Sequence, residues 1–141
     1  MRRPHWALLG ASLLLLLTGG GLWQVREARW RGPLYCVQTP GQVWGAAPVP
    51  RGATPVCPAS QTVRTEVRRG ETRIEQYELP GWQPTPVLKA LQANGYAVVS
   101  RIPDDGIQEA AVLSRGAERL TYVADRMNGN TLVSLSTRGG P

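Results

Sequence analysis

The stretch RLTYVADRMNGNTLVSLSTR, residues 119–138, decides the fold of the C-terminal part of the chain. Its centre is Asn128-Gly129, which favours a two-residue β-hairpin turn because both residues tolerate positive φ angles. The stretch therefore predicts two long antiparallel strands joined by a tight turn. The register that this turn imposes pairs Ala124 with Val133 and Tyr122 with Leu135.

The two faces of this predicted hairpin differ, because side chains alternate between the faces of a strand. One face is apolar and predicts a core, with Leu120, Tyr122, Ala124, Val133 and Leu135. The other face carries Val123 and Leu132 among Thr, Ser and Asp residues. We interpret this mixed face as a solvated sheet face. If it is instead a docking surface, Val123 and Leu132 are its candidate contact residues.

Strand-like alternation also occurs upstream of the hairpin. From Thr62 to Arg68, Val and Thr residues alternate with charged residues, the period of two that predicts a half-buried strand. A turn is expected at residues 69–71, and Thr72 to Leu79 is predicted to return as the partner strand.

The segment PTPVLKALQANGY, residues 84–96, predicts a short amphipathic helix. Thr85 is a suitable N-cap, Pro86 fits the first helical position, and Gly95 can adopt the left-handed conformation that ends many helices. Its apolar face should pack on a sheet and consists of Val87, Leu88 and Leu91.

Two more strands are predicted between this helix and the hairpin. They run from Tyr96 to Ile102 and from Ile107 to Ser114, with a turn at residues 103–106. The whole pattern predicts an α+β fold: a small antiparallel sheet of five or six strands with one helix packed on it. The order strand, helix, strand is too common to identify a family.

The N-terminal stretch from Trp6 to Val25 contains no ionisable side chain. As a helix it would cover about 30 Å, which matches the hydrocarbon thickness of a bilayer. Trp6 and Trp23 stand near its two ends, where aromatic rings favour the membrane interface. We interpret residues 1–25 as an uncleaved membrane anchor. The alternative is a secretory signal that is cleaved after Gly20 or Gly21.

The basic residues next to this segment are expected to lie at the membrane surface. The interfacial set after the anchor is Arg26, Arg29, Trp30 and Arg31, and it can contact anionic lipid headgroups. The net charge of the chain is +6, of which residues 1–59 carry +5 and residues 60–141 only +1. The basic excess therefore belongs to the membrane flank, and no nucleic-acid partner is predicted.

Residues 26–60 are interpreted as a basic, Pro-rich spacer before a small α+β domain at residues 61–141. The only two cysteines, Cys36 and Cys57, lie in this segment without a nearby His, which predicts a disulfide in an oxidising compartment. Trp44 lies between them. It is a candidate contact residue for a partner if it is exposed at a loop tip, and a packing residue if it is tucked against the domain.

Catalytic chemistry finds little support in the sequence. The single His is His5, at the membrane edge, and no Ser lies in a nucleophile-elbow pattern. A carboxylate-dependent hydrolase remains as an alternative, using Glu75 with Glu78 or Asp104 with Asp105. No catalytic residue, metal site or cofactor is assigned, and Asp104 and Asp105 are expected to form a turn.

The expected function is therefore a non-catalytic binding or scaffold module of the cell envelope. We expect a single-pass membrane protein with its C-terminal domain outside the cytoplasm, and one version of this hypothesis makes it an accessory subunit of a membrane complex. Membrane lipid and another envelope or membrane protein are the expected partners. A secreted ligand-binding domain is the alternative if the N-terminal segment is cleaved.

Overall fold

The computed structural model describes Gly21, residues 24–25 and residues 27–138, which fall in two compact units, Met1–Gly32 and Pro33–Pro141. In the first unit, residues 27–31 are helical, and the guanidinium carbon of Arg29 lies 5.2 Å from the centre of the Trp30 ring. Trp6, Trp23, Arg26 and most of the predicted anchor lie outside the described residues. Within the described part of the chain, no helix is long and apolar enough to cross a bilayer.

The second unit is an α+β domain built on a six-stranded antiparallel sheet. Its strand order is β3-β4-β8-β7-β6-β5, and a separate two-stranded sheet is formed by β1 and β2. The elements in chain order are β1 (Gln42–Val43), β2 (Ala47–Pro48), β3 (Thr54–Val56), α1 (Gln61–Arg69), β4 (Thr72–Leu79), α2 (Pro86–Ala93), β5 (Ala97–Ile102), β6 (Gln108–Arg115), β7 (Glu118–Met127) and β8 (Asn130–Arg138).

The predicted C-terminal hairpin is confirmed as β7 and β8. Asn128 and Gly129 form its turn with φ angles of 53° and 83°, the positive values that this turn type requires. Ala124 pairs with Val133 and Tyr122 with Leu135, which is the predicted register. The two strands lie at the centre of the sheet, so the hairpin positions the elements on both sides of it.

One face of the sheet carries the core, and we call it the packed face. All five residues of the predicted apolar hairpin face are buried on it. The predicted helix is α2, and Val87, Leu88 and Leu91 are buried as expected. Pro86 stands at its start, and Gly95 follows its end with φ of 93°. The strands predicted on either side of the turn at residues 103–106 are β5 and β6.

The strand predicted from Thr62 to Arg68 is wrong, because these residues form helix α1. The Ser60 side chain accepts a hydrogen bond from the Val63 amide at the N-terminus, and Gly70 caps the C-terminus with φ of 73°. These caps satisfy part of the backbone groups that a helix leaves unpaired at its ends, and the helix buries Val67. The domain therefore has two helices beside the sheet where one was predicted.

The Pro-rich segment that was predicted as a spacer packs against the domain from Pro33 onwards. Strand β3 pairs with β4 and thereby extends the sheet. Several side chains of the segment are buried: Tyr35, Cys36, Val37, Val43, Trp44 and Ala47. The predicted disulfide between Cys36 and Cys57 is present, and the two Cα atoms are 5.7 Å apart. The segment is extended and turn-like as expected, but it belongs to the compact unit.

Candidate functional site

Trp44 lies in the turn between β1 and β2 and is buried in the packed core. Its φ angle is 56°, a left-handed conformation that is uncommon for a bulky residue. Only 2% of its surface is exposed, so the ring offers no contact surface to a partner. Of the two interpretations of Trp44, packing against the domain is the one that the structure shows.

The backbone of Trp44 is held by a buried carboxylate. Glu75 on β4 is fully buried, and its Oε2 accepts hydrogen bonds from the Trp44 amide at 2.6 Å and the Tyr77 hydroxyl at 2.9 Å. Arg73 Nη2 donates to the other oxygen, Oε1, at 3.2 Å. A buried carboxylate is costly unless it receives such donors. These contacts therefore fix the turn of the β1–β2 hairpin against the sheet.

The indole of Trp44 links this carboxylate to a second one. Arg73 stacks over the ring at 3.8 Å, and the indole Nε1 donates to Glu118 Oε1 on β7 at 2.7 Å. The other oxygen of Glu118 accepts the Tyr96 hydroxyl at 2.6 Å. We call this set the Trp44 cluster, and it comprises Trp44, Arg73, Glu75, Tyr77, Tyr96, Arg115 and Glu118.

Charges and hydrogen bonds around Glu118 determine its ionisation. Burial alone raises the pKa of this carboxyl, but the hydrogen bonds from Tyr96 and Trp44 and the charges of Arg73 and Arg115 outweigh burial and lower the pKa. Arg115 Nη2 lies 3.8 Å from the carboxylate, and its guanidinium stacks over the Tyr96 ring at 4.6 Å. Glu118 is therefore held as an anion between two arginines.

The Trp44 cluster is better suited to holding the fold together than to catalysis. Burial raises the pKa of the Tyr77 hydroxyl, and the neighbouring Glu75 carboxylate raises it further. Burial, together with Glu118, likewise raises the pKa of the Tyr96 hydroxyl. Both phenols therefore stay protonated and donate to carboxylates. The two phenols and the two carboxylates are thus used for contacts within the fold.

A second buried carboxylate lies near the opposite end of the packed face. Glu109 on β6 is fully buried, and Arg101 Nη2 on β5 approaches its Oε1 to 2.6 Å. This short separation marks an ion pair, yet neither carboxylate oxygen receives a hydrogen bond of good geometry from the described residues. We interpret Arg101 and Glu109 as an ion pair without a hydrogen bond. Their charged groups are close together, but the N–H groups of Arg101 do not point well at the carboxylate oxygens.

Neither carboxylate pair of the hydrolase alternative converges on a common point. Glu75 is buried on the packed face, whereas Glu78 is exposed and accepts a hydrogen bond from Asn130. Asp104 and Asp105 bond to backbone amides of their own turn, as expected for turn residues. Hydrogen bonds from the Gln108 and Ile107 amides lower the pKa of Asp105.

The face of the sheet opposite the packed face is partly exposed, and we call it the open face. Val123 pairs with Ser134 and Leu132 with Asp125, so both candidate contact residues lie on this face. Its central residues are uncharged and half-buried: Ile74, Gln76, Ala110, Val112, Val123, Leu132, Ser134 and Ser136. Gln76 donates to the Ser134 hydroxyl at 2.9 Å. The uncharged area is centred on Val123, whereas Leu132 lies between Glu78 and Asp125 on the same face.

Sequence reasoning missed the Trp44 cluster, since its members are scattered from residue 44 to residue 118. One local signal was available. In β4, Glu75 stands in phase with Tyr77 and Leu79, so the alternation placed a carboxylate on the core face. A charged residue in a buried position calls for partners from another element.

Comparisons of the chain with models of protein families, with curated proteins and with solved structures gave no match. Among the described residues, no group of three or more His, Cys, Asp and Glu side chains is placed to hold a metal ion.

We predict that Glu75→Gln destabilises the domain by about 1–3 kcal/mol, because an amide cannot replace both acceptor oxygens and leaves a buried donor unpaired. Urea unfolding followed by tryptophan fluorescence measures the change. The matched control is Glu78→Gln in the same strand, whose side chain is exposed and whose effect should stay within about 0.5 kcal/mol. Equal losses in both variants would contradict the role assigned to Glu75.

The lowered pKa of Glu118 predicts a pH dependence of stability. Because the folded-state pKa lies below the ordinary value of 4.5, Glu118 stabilises the fold above that pH and loses this contribution as the pH falls through the folded-state pKa. The stability advantage of the wild type over Glu118→Gln should therefore shrink under acid. Tyr96→Phe removes one donor to Glu118 and should weaken this pH dependence in part. The measurement is the free energy of unfolding at several pH values. A difference between the wild type and Glu118→Gln that is the same at every pH would contradict the prediction.

Proposed function

We propose that this chain is a membrane-anchored protein of the cell envelope whose α+β domain lies outside the cytoplasm and acts as a binding or scaffold module. Residues 1–25 are the proposed anchor. The proposed partner is another envelope or membrane protein, with the domain acting as an accessory subunit of a membrane complex. The observation that carries the binding role is the open face around Val123 and Leu132.

The disulfide supports an oxidising compartment for the domain. Cys36 and Cys57 are the only cysteines of the chain and are bonded to each other. Such bonds form and persist in oxidising surroundings and are rare in the cytosol. Together with an apolar N-terminal stretch, the bonded pair supports an extracytoplasmic location for the domain.

The contrast between the two faces of the sheet supports the binding role. The packed face buries Tyr122, Val133 and Leu135 completely, while Val123 and Leu132 on the open face remain half-buried. A surface of small and apolar side chains without a central charge can be desolvated by a partner at low cost. It is thus the part of the domain best suited to a protein contact.

The intact mass of the protein from native membranes tests the topology. We expect the full-length mass, with Cys36 and Cys57 protected from alkylation until the disulfide is reduced. A mass that lacks the residues up to Gly20 or Gly21 would instead make the protein a secreted ligand-binding domain. Cysteines that react on the unreduced, uncut chain would contradict the oxidising location.

The binding role predicts that the tagged full-length chain recovers a second protein in stoichiometric amount from a detergent extract of its native membranes. Val123→Arg should abolish this recovery, because it places a charge at the centre of the open face. Leu34→Arg is the matched control outside the sheet, where Leu34 is 44% exposed, and should leave it intact. Circular dichroism checks that both variants fold. A wild-type chain that recovers no other protein would contradict the subunit role.

A further inference from the structure

The two edges of the six-stranded sheet are built differently. Edge strand β3 has only three residues, contains Pro55 and leads directly into the disulfide at Cys57. The opposite edge, β5, has six residues and no proline. Short strands and prolines protect edges against pairing with other chains, whereas longer edges without them are templates for a further strand. Strand β5 carries a bulge and Arg101, which are also edge-protecting features, but it is the longer edge and the one without proline.

The side chains of β5 are largely exposed and apolar. Val99 is 52% exposed and Ile102 is 65% exposed. The only charge on the strand belongs to Arg101, and a charge on an edge strand normally discourages pairing. Here the ion pair with the buried Glu109, at 2.6 Å, neutralises that charge within the same subunit. The edge thus lacks the electrostatic protection that its sequence suggests.

A β-bulge in β5 changes which of its side chains share a face. Val98 pairs with Leu113 and Ser100 with Val112, so Val99 is an extra residue that shifts the alternation. Val98 and Arg101 consequently both lie on the side of the packed face, with their partners Leu113 and Ala111. The outer residues Ala97 and Ile102 both lie on the side of the open face, with Ser114 and Ala110.

This arrangement of faces lets β5 pair with β5 of a second copy of the chain. Residues directly opposite each other in an antiparallel pair must lie on the same face. With a two-fold axis between Val99 and Ser100, Ala97 stands opposite Ile102 of the other copy, and Val98 stands opposite Arg101 of the other copy. Both pairs share a face only because of the bulge, since a regular strand would place each pair on opposite faces.

We propose that β5 pairs antiparallel with β5 of a second copy of this chain, so that the two sheets become continuous. The pairing covers the exposed Val99 and Ile102 and brings no uncompensated charge to the axis. It satisfies the outward backbone groups of both edges in the same step. The interface is isologous, and it leaves the open faces of both copies available.

The test uses the full-length chain in detergent, with its mass measured by light scattering over a dilution series. We expect a dimer for the wild type. Val99→Lys should raise the dissociation constant about tenfold or more, because it replaces an apolar contact near the axis with charges from both copies. Met127→Lys, at a site of similar exposure on the hairpin end, should leave the dimer unchanged. A monomeric wild type, or equal effects of both variants, would overturn the proposal.

Disulfide trapping tests the register separately. An equimolar mixture of Ala97→Cys and Ile102→Cys chains should form cross-linked dimers, because opposite residues have Cα atoms about 4.5–5.5 Å apart, within reach of a disulfide. Either variant alone should not cross-link, since the two cysteines would then lie about 17 Å apart along the strands. Cross-linking by a single variant to the same extent as by the mixture would overturn the proposed pairing.

Discussion

The structure depends on a carboxylate that is placed where a sheet would ordinarily carry an apolar side chain. Glu75 points into the core from β4, and the cost of burying it is offset only when several donors reach it. One of those donors, the Trp44 amide, comes from the Pro-rich segment. That segment therefore packs on the sheet. In this position the Trp44 indole lies against Arg73 and donates to Glu118.

This constraint divides the domain into parts with different tasks. In the Trp44 cluster, the phenols of Tyr77 and Tyr96 donate to the carboxylates of Glu75 and Glu118. The surfaces left for partners are the open face and the edge strand β5. The open face is uncharged around Val123 and carries Glu78 and Asp125 beside Leu132, while on β5 the charge of Arg101 is paired with Glu109.

The elements that were predicted correctly have signals that neighbouring residues supply. The Asn128-Gly129 turn, the Pro86 start of α2 and the disulfide all follow from local rules. Helix α1 was predicted as a strand because its Val and Thr residues alternate with charged residues, a pattern that also fits a strand. The caps Ser60 and Gly70 decide between the two structures, and they lie just outside the stretch in which the alternation was counted.

By itself, the sequence determined the α+β class, the hairpin register, the amphipathic helix and the cysteine pair, because each depends on alternation, turn chemistry or a count of residues. Only the tertiary structure decided that Trp44 is buried, that Glu75 and Glu118 share its neighbourhood, and that Arg101 meets Glu109. These contacts join residues far apart in the chain. Which residues meet depends on where the folded chain buries each charged side chain. A local sequence pattern does not contain that information.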